Sequence, residues 1–121
     1  MKISNDKFKI DDKSILNYYE IKSNKPKLLL LHAQGTNSLS FMSVINKLSK
    51  YFHIYLVDYY GHGKSSFNRE KYNLIDIGND IIKFIEEVIK DNVSVLGHSS
   101  GGLIASYIAS NCKLCSGLIL E

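Results

Sequence analysis

The sequence of 121 residues has no tryptophan, one proline (Pro26), one arginine (Arg69) and two cysteines. Each scarcity excludes something. With a single proline and 45% hydrophobic residues, the chain is not collagen-like, mucin-like or disordered. A lone arginine among 14 scattered lysines offers no guanidinium forks for phosphates or bases, so the net charge of +3 does not point to nucleic acid. The Lys, Ile and Asn excess resembles the codon bias of an AT-rich genome. Cys112 and Cys115 supply half of a zinc site at most. They lie where a helix ends, not at the helix N-terminus that would activate a thiol, so they read as incidental thiols. The apolar runs, such as Leu28 to Leu31, are far too short to span a bilayer. The polar start, Met1 to Phe8, lacks a signal-peptide core. A cytoplasmic protein without a membrane span is expected. Repeats, low-complexity tracts and linkers are absent, and a chain of this size can bury roughly two-thirds of its unfolded surface.

What is present alternates between two periods. Phe8 to Ile10 and Ile15 to Ile21 alternate around Asp11-Asp12-Lys13, which predicts an antiparallel hairpin. Leu28 to Leu31, His53 to Val57, Val93 to Leu96 and Gly117 to Leu120 read as four further strands, apolar enough to be buried on both faces. Between them lie three helical patterns. Phe41, Val44, Ile45, Leu48 and Tyr51 form the first, and Ile77, Ile81, Ile85 and Val88 the second. The second follows a capping box at Asn73 and Asp76. The third, Ser100 to Ser110, is almost uncharged, with Gly101, Ala105 and Ala109 allowing close approach to a sheet. Buried strands alternating with helices predict βαβ units, hence an α/β fold with a mostly parallel sheet and helices on both faces.

Three loops at strand ends carry the chemistry. Gly97-His-Ser-Ser-Gly101 stands between a strand and a helix, the context that gives G-x-S-x-G its meaning. A serine raised on so sharp a turn needs a strained backbone and small neighbours two residues either side. It also sits at the positive end of a helix, where backbone donors can meet a developing oxyanion. A glycine-rich turn that merely joins strand to helix would leave the apical serine unexplained. His32-Ala-Gln-Gly35 follows the first buried strand, and Asp58-Tyr-Tyr-Gly-His-Gly-Lys-Ser65 the second. Gly63-Lys-Ser65 imitates the end of a phosphate-binding loop, but the leading glycine is replaced by Asp58, whose charge would repel phosphate. A dinucleotide pattern fails at Ser66.

With these three motifs in register the chain resembles the α/β-hydrolase family over essentially all of residues 1–121. The resemblance implies the N-terminal part of a single α/β-hydrolase domain, truncated after the sixth strand. It makes Ser99 the nucleophile and the backbone N–H groups of Gln34 and Ser100 the oxyanion hole, with Ala33 departing from the family's usual glycine. It implies a small-molecule ester or amide substrate and no cofactor or metal. The triad order on this fold is Ser, then Asp or Glu, then His. The residues after Ser99 include no histidine and a single acidic side chain, Glu121, which stands where some members carry the acid. His32 is expected to order its loop, and His62 and His98 flank motif glycines, with Asp58 a doubtful partner for any of them. The expectation is therefore a serine hydrolase by ancestry that is inactive as this chain. The alternatives are a non-catalytic ligand-binding module or a subunit completed by another chain. Leu118 to Leu120 would then form an uncovered sheet edge, open to self-association or to a complementing chain.

Overall fold

The computed structural model describes residues 2–121. Strands β1 (Ser4–Lys9) and β2 (Ile15–Ile21) form the hairpin, registered from Ser4↔Glu20 to Lys9↔Ile15. β1 begins four residues before the alternating pattern does. Its side chains are almost all exposed, so backbone pairing along β2 sets its length, and no buried face marks it in the sequence. β3 (Lys27–Leu31), β4 (His53–Val57), β5 (Val93–Gly97) and β6 (Cys115–Leu120) complete a six-stranded sheet ordered β1-β2-β4-β3-β5-β6. β2 runs antiparallel to β4, and β3, β4, β5 and β6 are mutually parallel.

The central strands are apolar on both faces because both are covered. Leu29, Leu31, Tyr55, Val57, Val93 and Val95 pack on one face under the helices α2 (Leu74–Phe84) and α3 (Gly101–Asn111). Leu28, Leu30, Ile54 and Leu56 point the other way, onto Phe41 and Ile45. That second cover is thinner than the helical spacing predicts. It consists of a 3₁₀ turn, Ser38–Phe41, and a single α-helical turn, α1 (Ile45–Leu48). Asn37 starts the turn by accepting the Leu39 N–H at 2.9 Å, and tight i→i+3 bonds then run through Met42 and Val44. Phe41, Ile45 and Leu48 reach the sheet, while Val44 and Tyr51 stay exposed.

The capping box at α2 is formed in both directions, Asn73 and Asp76 exchanging hydrogen bonds of 2.9 Å. Such a cap stabilises a helix by about 1 kcal/mol. α2 continues as a π-helical turn, Ile85–Ile89, which keeps Ile85 and Ile89 buried and ends at left-handed Lys90. Cys112 caps α3 and Cys115 opens β6; both are free, and burial pushes the Cys115 thiol above its ordinary pKa, away from the reactive thiolate. Among the described residues no helix is long and apolar enough to cross a membrane.

Candidate active site

The carboxyl ends of β3, β4 and β5 bring the three motif loops together. Ser99 occupies the turn between β5 and α3 with φ 56°, one of two non-glycine residues with positive φ among the described residues. A left-handed backbone costs roughly 1–2 kcal/mol for an L-residue, so the surrounding structure must hold it. The flanking glycines show how closely it does. A Cβ on Gly97 would run into the Gly101 carbonyl oxygen, and one on Gly101 would lie 2.6 Å from the Leu31 carbonyl oxygen. The His98 N–H donates to Leu31 O at 3.1 Å, and the Ser99 N–H donates to Glu121 O at 2.8 Å. β3 and the end of β6 thus pin the turn from both sides, and the exposed Ser99 side chain is left in solvent.

The two expected backbone donors differ. The Ser100 N–H has no protein acceptor among the described residues. The Gln34 N–H, by contrast, donates to the Ser100 hydroxyl at 2.7 Å. No sequence signal marked this hydroxyl, because Ser100 entered the argument only through its main chain. Ala33 is accommodated because the left-handed residue of that loop is Gly35, φ 86°.

The loops after β3 and β4 are braced by buried polar groups. Fully buried His32 shares its Nδ1 hydrogen with Ala33 O at 2.9 Å and accepts the Tyr59 N–H on Nε2 at 3.2 Å. Burial lowers its pKa to about 4, so the ring is neutral near pH 7. His62 lies against Tyr60 O through Nδ1 at 3.0 Å and accepts the Gly35 N–H on Nε2 at 2.9 Å. Asp58 is the hub. Its carboxylate accepts from the Ser38 N–H (2.9 Å), Asn17 Nδ2 (2.9 Å) and the Lys64 N–H (3.2 Å). Burial alone would raise its pKa, but these bonds outweigh it and hold the group below the ordinary value. A Cβ on Gly63 would collide with this carboxylate. The phosphate-loop lookalike therefore wraps a carboxylate of its own chain, and Asp58 hydrogen-bonds no histidine.

These arrangements bear on a general base. Both ring nitrogens of His32 and His62 are engaged. His53 lies at the far end of β4, bound to Glu20 at 2.6 Å. His98 is exposed, with its ring edge-on to Phe41. Glu121 meets the turn through its backbone, and its carboxylate makes no hydrogen bond among the described residues. The Tyr59 hydroxyl is buried beneath the turn, without a hydrogen-bond partner among the described residues.

A family model described as "alpha/beta hydrolase fold" matches residues 26–120. The chain belongs to the α/β-hydrolase fold family. Among relatives of this hydrolase-family chain is a pimeloyl-[acyl-carrier protein] methyl ester esterase of Vibrio campbellii, 33% identical over 89 residues, covering 71% of this chain and 32% of the esterase. The magnesium-chelatase 30 kDa subunit of Rhodobacter capsulatus is 36% identical over 85 residues, covering 69% of this chain and 30% of that subunit. A hydrolase from Pseudomonas aeruginosa superimposes with TM-score 0.88 at 24% identity, over 96% of this chain and 44% of that one. The α/β-hydrolase chain spans 27% to 39% of the length of such curated relatives.

Proposed function

We propose that this chain carries the nucleophile-bearing part of a serine hydrolase acting on an ester- or amide-like small molecule. The observation that carries the reading is Ser99 at φ 56°, exposed at a helix N-terminus beside the unengaged Ser100 N–H. The esterase relative supports the ester class. Ser99 Oγ attacks the substrate carbonyl carbon while a base takes the hydroxyl proton. The ester C–O bond then breaks, the alcohol departs with that proton, and water hydrolyses the acyl-serine. The Ser100 and Gln34 N–H groups stabilise the negative oxygen, a donor being worth about 3 kcal/mol in such sites. Ser100 Oγ holds the Gln34 donor until substrate arrives, then rotates away.

In this chain a positioned base is the missing part: both ring nitrogens of His32 and His62 are engaged, and no carboxylate hydrogen-bonds the exposed His98 ring among the described residues. Efficient turnover is accordingly absent from the isolated chain. The test is labelling by a fluorophosphonate with imidazole added as an external base, mapped by mass spectrometry. Labelling of Ser99 that grows with imidazole and is lost in Ser99→Ala supports the reading. Labelling that survives in Ser99→Ala overturns it, and an inert Ser99 at all imidazole concentrations leaves a non-catalytic ligand-binding module instead.

A further inference from the structure

Two successive backbone N–H groups of one turn are held by side chains from two other loops. Residues 33–36 form a β-turn closed by the Thr36 N–H on Ala33 O at 3.1 Å. Its third residue, Gly35, has φ 86°, the kind of angle that a type II turn requires there. The Gln34 N–H donates to Ser100 Oγ at 2.7 Å, and the Gly35 N–H donates to His62 Nε2 at 2.9 Å. The first tie is temporary, because Ser100 Oγ gives way when substrate arrives. The second is then the described hydrogen bond that still joins Gln34 and Gly35 to another loop. His62 can serve as an anchor because its own backbone is fixed. Its N–H donates to Tyr59 O at 2.9 Å, and its carbonyl accepts the Ser65 N–H at 3.0 Å.

The two partners of the ring dictate its protonation. Tyr60 O, 3.0 Å from Nδ1, only accepts, so Nδ1 carries the hydrogen. The Gly35 N–H only donates, so Nε2 must be bare. A proton added to Nε2 would face the Gly35 N–H donor to donor, and the tie would break. The half-buried ring is within reach of solvent protons. Facing it are the His32 ring at 5.3 Å and the Tyr59 ring at 5.7 Å, and no carboxylate hydrogen-bonds it among the described residues. Asp58, on the same loop, is committed to Ser38, Asn17 and Lys64. We propose that His62 is a positioning residue for the oxyanion hole: its neutral ring fixes the turn that presents the Gln34 N–H, and its protonation releases that turn. The inference rests on the reading of Ser99 as nucleophile. It gives that site a loss of activity in acid that does not pass through the attacking base.

Fluorophosphonate labelling of Ser99 at a fixed imidazole concentration tests it in three chains: wild type, His62→Gln and His62→Leu. The rates are followed from about pH 8 to about pH 5, the range in which imidazoles titrate. Ratios between chains cancel the titration of the added base, and His32, pushed down to about 4 by burial, stays largely neutral throughout. His62→Gln carries an uncharged amide oxygen able to accept the Gly35 N–H. It should match the wild type at the basic end and lead it on the order of tenfold at the acid end, part of what losing an oxyanion donor costs. His62→Leu, with no acceptor, should lag behind His62→Gln by a similar factor at every pH. The Gly35 amide proton resonance should move upfield in acid in the wild type and stay still in His62→Gln. A wild-type to glutamine ratio independent of pH, or a leucine variant as fast as wild type at the basic end, overturns the role of His62 and leaves Ser99 as nucleophile. Ser99 unlabelled in all three folded chains overturns the nucleophile reading instead. A Gly35 resonance that stays still in wild-type acid then overturns the His62 tie as well.

Discussion

The two sides of the candidate site are held in opposite ways. On the β3–β4 side, His32, Asp58 and His62 spend every ring nitrogen and carboxylate oxygen on neighbouring backbone or on Asn17, and two of the three are buried. On the β5–β6 side, Ser99 is strained and exposed, the His98 ring makes no hydrogen bond among the described residues, and β6 lies at the edge of the described sheet. Polar residues that look catalytic in sequence are structural on the first side. The residue held in an unfavourable conformation is on the second. A histidine or aspartate in a motif is therefore informative only once its hydrogen-bond partners are counted.

Substitutions on the braced side should cost the most. Asp58→Ala removes the acceptor for three donors, two of them in buried surroundings, and should destabilise the fold by about 4 kcal/mol in urea unfolding. A loss below about 1 kcal/mol would erase the contrast between the two sides. Acid should act next, through His32. Its folded pKa of about 4 lies below the ordinary value of 6.5, so the unfolded chain binds the proton more readily. The stability from keeping this ring neutral is complete above pH 6.5 and is lost as pH falls from there through 4. Its size is on the order of 3 kcal/mol. His32→Gln should flatten that part of the stability–pH curve; an unchanged curve would show that His32 is not the group responsible.

The open side should respond with smaller changes, and at Ser99 with one of the opposite sign. Ser99→Gly relieves the left-handed backbone and should raise stability by about 1 kcal/mol, less the flexibility that glycine adds to the unfolded chain. Ser99→Ala should not. If glycine destabilises as much as alanine, the turn is not strained. Smallest of all, Ser100→Ala removes the acceptor of the Gln34 N–H and should cost about 0.5–1 kcal/mol. In amide exchange, the Gln34 N–H should lose protection while that of Ser38, bound to Asp58, keeps it.

Much of this architecture is legible in the sequence, for stated reasons. Strands buried on both faces are continuous apolar runs, so β3 to β5 appear directly, and Asn73 with Asp76 marks the start of α2. The apolar run Gly117 to Leu120 locates β6 as a strand, but its expected burial is not observed, since Leu118, Ile119 and Leu120 are exposed. β1 is legible only in part, because an exposed edge strand carries no alternating pattern. The stretch from Phe41 to Tyr51 misleads, since apolar spacing cannot report that Asn37 starts a 3₁₀ turn that leaves Val44 and Tyr51 outside. At the site, glycine spacing locates Ser99, because steric exclusion depends on residue type. The Ser100 hydroxyl on Gln34 and the His62 ring on Gly35 join residues far apart in the chain, and a single sequence holds no trace of such pairs.

The central claim is that Ser99 is a positioned nucleophile without a base, and ester turnover tests it most directly. Purified chain and its Ser99→Ala variant would be assayed on a short-chain nitrophenyl ester as imidazole is raised. Without imidazole the two should turn over equally slowly, because a neutral serine hydroxyl needs a base during attack. As imidazole increases, the wild-type rate should climb well above that of the variant. A burst and turnover without imidazole that vanish in Ser99→Ala would contradict the account by revealing a base within the chain. Two identical imidazole curves would contradict it by showing that Ser99 is no nucleophile.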